Sequence, residues 1–133
     1  MAYSFHEHTA DVRMDVEGDS YGALLEQSLL GMFEYLRPAG KGKRVERAIE
    51  VESPDRAALV VDFLNEALSL AHAHKEEYDS ATFKVLSDRH VRATLVGNRV
   101  GSFGEDIKAV TYHEAAVERD AEDVWRAHFV FDI

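Results

Sequence analysis

Hydrophobic and polar positions alternate near the start of the chain. Val12, Met14 and Val16 fall between Arg13, Asp15 and Glu17, the period of a half-buried strand. Gly18-Asp19-Ser20 breaks the pattern, and Asp19 or Ser20 can cap a helix running to about Leu36. On that helix Tyr21, Leu24, Leu25, Leu29, Met32 and Leu36 form one apolar stripe, and Pro38 with the glycines after it stops the helix. Alternation resumes from Arg44 to Glu52, with Val45, Ile49 and Val51 on one face of a second strand. Ser53-Pro54-Asp55 opens the next element: either Ser53 caps it with Pro54 at the first helical position, or Asp55 caps it. Arg56 to about His74 reads as a helix against the core, apolar all round at Ala57–Val61 and amphipathic through Phe63, Leu64, Ala67, Leu68 and Ala71. Beyond residue 80 the pattern is strand. Thr82–Leu86 and His90–Val96 flank a turn at Ser87-Asp88-Arg89, residues 97–106 read as a three-glycine loop, and Ile107–Glu118 and Val124–Asp132 flank the polar turn 119–123. The expected fold class is α+β: two long helices packed on mainly antiparallel β-sheet.

Composition narrows this picture. A chain of 133 residues with 46% hydrophobic content fits a single domain, 1–133, that buries roughly two thirds of its unfolded surface. Cysteine is absent, which excludes disulfides, thiolate zinc sites and a cysteine nucleophile. No apolar run reaches the about 20 residues of a membrane span, and the first residues lack the basic segment and apolar core of a signal peptide. A cytoplasmic location and no membrane partner are expected. The formal charge of -10 disfavours phosphate backbones and favours cations or basic protein surfaces, so no direct nucleic-acid binding is expected. The basic cluster Lys41-Gly42-Lys43-Arg44 reads as a solvated turn rather than an RNA contact.

Candidate chemistry lies at the chain's two ends. His8-Thr9-Ala10-Asp11 precedes the first strand, and Phe131-Asp132-Ile133 ends the last one. If those strands are antiparallel neighbours, Asp11, Asp132 and the terminal carboxylate of Ile133 converge on one sheet edge. Carboxylates so close must protonate or recruit a cation, and hard oxygen donors select Ca²⁺, Mg²⁺ or Mn²⁺ over zinc. The ordinary reading of either aspartate is a turn or cap. Lys108, opening Ile107-Lys108-Ala109-Val110-Thr111-Tyr112-His113, either snorkels into solvent or aims its ammonium at the acidic cluster or a partner's phosphate. His6 and His8 would share a strand face and could clamp a transition metal, whereas His72 and His74 diverge on a helix. The glycine loop 97–104 has neither the lysine and hydroxyl of a phosphate loop nor dinucleotide-fold spacing.

Four blocks together resemble the archease family: Phe5-His6-Glu7-His8-Thr9-Ala10-Asp11, Val61-Asp62-Phe63-Leu64-Asn65-Glu66, Ile107–His113 and Phe131-Asp132-Ile133. They occur in order over the whole chain. The resemblance implies an accessory protein, not itself an enzyme, that activates an RtcB-type GTP-dependent RNA ligase in tRNA splicing or RNA repair by promoting its guanylylation and multiple turnover. It implies a divalent cation, foremost Ca²⁺ with Mg²⁺ or Mn²⁺ as alternatives, held by Asp11, Asp132 and Ile133, and functional, partner-facing roles for Lys108 and His8. Arg13 departs from the smaller or aliphatic residue expected after His-Thr-Ala-Asp-Val, at the edge of that site. From the residues alone, a stand-alone metal-dependent hydrolase of a small phosphorylated substrate remains the alternative. The sequence leaves the oligomeric state open.

Overall fold

In the computed structural model the described residues are 2–7 and 11–133, with the backbone alone described at Glu7. They form β1 (Tyr3–Glu7), β2 (Asp11–Gly18), α1 (Tyr21–Leu36), β3 (Pro38–Ala39), β4 (Arg44–Glu52), α2 (Arg56–His74), β5 (Glu76–Leu86), β6 (His90–Arg99), β7 (Ser102–Phe103), β8 (Ala109–Arg119) and β9 (Trp125–Asp132). The strands build a four-stranded sheet β1-β2-β9-β8, a three-stranded sheet β4-β6-β5 and the small pair β3-β7, and every pairing is antiparallel. The α+β architecture expected from periodicity is the one observed.

Local chemistry explains the helix limits. Ser20 Oγ accepts the Ala23 N–H at 3.0 Å, and Asp55 Oδ1 accepts the Ala58 N–H at 2.8 Å, so Asp55 rather than Ser53 caps α2. Both helices end in left-handed caps, Arg37 and Lys75, each with φ 53°. α1 packs on β2 of the larger sheet and on β5 of the smaller; α2 packs on β8 and on all three strands of the smaller sheet. The helical pair therefore joins the two sheets. Gly31 lets α1 approach closely, because a Cβ there would stand 2.6 Å from Met14 Sδ and 3.0 Å from Tyr3 Cγ.

The core face of the larger sheet pairs Val12 with Phe131, Met14 with Phe129 and Val16 with Ala127, all buried. Three expectations need correction. The strand that follows His8-Thr9-Ala10-Asp11 in the sequence is not the first, because β1 precedes it and pairs with it, and the short pair β3-β7 adds two further strands. β5 starts at Glu76 rather than Thr82, because Glu76 and Glu77 are buried against cations from elsewhere in the chain: Arg47 meets Glu76 and Lys41 meets Glu77. Gly97–Arg99 belong to β6 and not to a loop, since Gly97 is pressed against the β5 backbone.

Candidate functional site

The β2–β9 register sets Asp11 directly opposite Asp132. Strand alternation puts both on the face away from the core, because their neighbours Val12 and Phe131 are buried. Directly opposed residues hold their Cβ atoms about 4.5–5.5 Å apart, a distance at which like charges destabilise a sheet. Neither carboxylate has a hydrogen bond or ion pair among the described residues. A positive partner would relieve this juxtaposition, and two carboxylates on one face could contribute to a Ca²⁺-, Mg²⁺- or Mn²⁺-type donor set. Ile133, half-buried, rests its side chain on the core beside them. His8, with Thr9 and Ala10, lies outside the described residues.

Lys108 comes to the same end of the sheet. Its backbone N–H donates to the Asp132 carbonyl at 2.7 Å, and the next residue, Ala109, pairs with Asp132. The Lys108 side chain is exposed and has no partner among the described residues. Beyond Thr111, which pairs with Val130, the register jumps to Ala116 with His128, so residues 112–115 stand opposite Phe129 alone. This wide bulge carries Glu114 in the left-handed region, φ 56°, and leaves Tyr112 62% exposed.

The second helix grips this strand. Asn65 Nδ2 donates to the Val110 carbonyl and Asn65 Oδ1 accepts the Val110 N–H, both at 2.8 Å. Asp62, one turn earlier, accepts the Tyr112 hydroxyl on one oxygen and the Ser53 hydroxyl on the other. The hydrogen bond to Asp62 raises the pKa of the Tyr112 phenol above its ordinary value, with desolvation adding to it.

Thus Asp11, the Lys108 block, the C-terminal residues and the second-helix block meet at one end of the larger sheet. The same four blocks fall within a family match: residues 3–133 match the model of the Archease protein family. The chain belongs to the archease family. It is 32% identical to the protein archease of Methanosarcina acetivorans, covering 98% of this chain and 95% of that protein. It is also 32% identical to the protein archease of Pyrococcus furiosus, covering 98% of each. A crystal structure of a Thermotoga maritima archease, described as a possible chaperone, superposes with TM-score 0.72 at 25% identity over 96% of this chain and 94% of that one. The solution structure of protein 1598 from Methanobacterium thermoautotrophicum shares the fold, with TM-score 0.71 at 22% identity over 99% of both chains.

Other residues of this archease-family chain sort by what they touch. Glu50 and Glu52 of β4 gather with His90 of β6, their ligand atoms within 4.8 Å of one another, and this half-exposed set could hold a metal ion. Sequence reasoning missed it: Glu50 and Glu52 share a face by period two, but His90 arrives only through the β4–β6 register, which crosses α2 and β5. His6 Nε2 sits 3.1 Å from Asp15 Oδ2. The glycine loop spends its N–H groups internally, Gly101 on the Ala39 carbonyl and Gly104 on those of Leu36 and Arg37, and so offers these to no phosphate. In the basic cluster, Lys41 pairs with Glu77 and Arg44 with Asp79. No helix among the described residues is long and apolar enough to cross a membrane.

Proposed function

We propose that residues 1–133 act as one archease domain, a cytoplasmic accessory factor that activates an RtcB-type GTP-dependent RNA ligase in tRNA splicing or RNA repair. It promotes guanylylation of the ligase and multiple turnover without being an enzyme itself. The observation that supports this reading most is the Asp11–Asp132 pair, without a side-chain partner among the described residues, beside Lys108 in a chain of this family. Asp11 and Asp132 would hold a divalent cation, Ca²⁺ foremost and otherwise Mg²⁺ or Mn²⁺, with the Ile133 carboxylate as a third donor. When bound, such an ion supplies positive charge to a partner's phosphate or carboxylate oxygens. Lys108 orients a phosphate from the side, and His8 faces the partner.

An activator shifts its partner only by binding one state better than another. The Asp11–Asp132 edge docks at the basic mouth of the ligase and favours the arrangement of nucleotide and nucleophile that reacts. Weak, transient docking then lets one helper serve many ligase molecules. The test is guanylylation of purified ligase with Asp11→Ala and Asp132→Ala. Changes to groups that merely support metal ligands already cost 10- to 100-fold, so each variant should lose about a hundredfold in stimulation. Full stimulation by both variants would remove the proposal.

A further inference from the structure

We infer that Asn65, seconded by Asp62, is a positioning residue for the Lys108–Asp132 edge: the second helix sets the height of Lys108 against the carboxylate pair through Val110. The inference rests on the functional reading of Lys108, Asp11 and Asp132 given above.

β8 is the outermost strand of its sheet. At Val110 its backbone N–H and C=O both meet the Asn65 carboxamide, which offers one acceptor and one donor as a further strand would. The choice of residue follows from this. An aliphatic side chain supplies neither group, and a carboxylate supplies the acceptor alone. Asp62 lies one turn away on the same side of α2 and fixes Tyr112, two residues beyond Val110. The helix thus holds β8 at positions two apart.

That grip matters because the side chains of Ile107 and Val110 anchor this stretch in the core while its backbone ladder is short. Only Ala109, Val110 and Thr111 pair with β9 before the bulge at residues 112–115 interrupts the ladder. Lys108, which precedes the paired stretch, is tied to it by a single backbone bond to the Asp132 carbonyl. So short a ladder frays readily at its end. Removing the carboxamide leaves two backbone groups of the buried Val110 without their protein partner, to be met by water that enters beside the partly exposed position 65, and water holds the strand less firmly than the helix does. Lys108 and the Asp132 backbone then lose their fixed separation. The fold, anchored by the buried side chains of both sheets, stays.

The experiment compares native protein with Asn65→Ala, Asn65→Gln and Ile49→Val, the last a core trim in the other sheet that serves as a control for general destabilisation. Three quantities are read: amide hydrogen exchange at Val110 and Lys108, Mn²⁺ affinity by isothermal titration, and ligase guanylylation at saturating protein. Asn65→Ala is expected to lose about tenfold or more in amide protection at those two positions, in Mn²⁺ affinity and in maximal stimulation. Asn65→Gln, with the same amide on a longer stem, recovers part of each. Ile49→Val leaves Mn²⁺ affinity and maximal stimulation at native values. Native Lys108 protection in Asn65→Ala overturns the inference, as does a loss of Mn²⁺ affinity in Ile49→Val equal to that in Asn65→Ala. If the native protein itself fails to stimulate ligase, the functional reading falls, while exchange at Lys108 still decides whether Asn65 positions it.

Discussion

Two aspartates directly opposed on one sheet face, neither in an ion pair among the described residues, should make stability depend on what else is in solution. In a chelator, Asp132→Asn relieves like-charge repulsion and should stabilise the protein by roughly 0.2–1 kcal/mol. With Ca²⁺ at a hundred times its dissociation constant, the native protein should gain about 2.7 kcal/mol and overtake the variant. Urea unfolding with and without Ca²⁺ checks both signs, and an order unchanged by the ion would contradict a shared cation. Glu76 makes a different case. Arg47 grips its two oxygens at 2.8 and 2.7 Å and Tyr78 donates to it at 2.8 Å, so its pKa is lowered, by Arg47 first. A carboxylate depressed in the folded state stabilises above its unfolded pKa, near about 4.3, and loses that contribution as pH falls through the lower folded value. Glu76→Gln should flatten this acid limb of the stability curve, most visibly below about pH 4, while lowering stability at neutral pH.

Elements differ in how far they could be read in advance. α1, α2 and β4 were legible because their signals are local: a cap three residues before its amide partner, a 3.6-residue stripe, an alternation bounded by turn residues. β5 and the end of β6 were not, because their pattern is set across the sheet. Glu76 and Glu77 look like solvent residues until Arg47 and Lys41 meet them, and Gly97 looks like a loop residue until the β5 backbone arrives. The candidate site divides in the same way. Asp11 and Asp132 could be paired on the single assumption of antiparallel neighbours, whereas Asn65 facing Val110, or His90 facing Glu52, needs a helix and a register that no window contains. The close approach at Gly97 is testable. An added Cβ would lie 1.8 Å from the Glu77 carbonyl oxygen and 2.7 Å from Tyr78 Cα, and backbone atoms cannot swing aside as a side chain can. Gly97→Ala should therefore cost about 3 kcal/mol, the upper end of ordinary overpacking, and thermal unfolding measures it. Asp55→Ala should cost only about 1 kcal/mol, because it removes one cap and leaves the packing of α2 intact.

At the scale of the whole molecule, charge and geometry divide the work of docking. Twenty-five acidic residues against fifteen basic ones give the surface a long-range field, while the proposed contact centres on Asp11 and Asp132. A field of this kind accelerates encounter with a basic partner, and salt screens it: the Debye length is about 10 Å at 0.1 M and about 3 Å at 1 M. The contacts inferred to fix Lys108 are neutral hydrogen bonds between Asn65 and Val110 and a backbone bond to Asp132, which salt hardly touches. The two contributions separate in one titration. As ionic strength rises from about 0.1 M to about 1 M, the concentration of this protein giving half-maximal ligase stimulation should climb, mainly through a slower association rate. The stimulation reached at saturation should hold, because the positioned edge is unchanged once docked. A half-maximal concentration indifferent to salt would mean that apolar contact, not charge, brings the partners together. A falling plateau with a steady half-maximal concentration would mean instead that salt acts on the ion between Asp11 and Asp132, and titrating Ca²⁺ at high salt would then restore it.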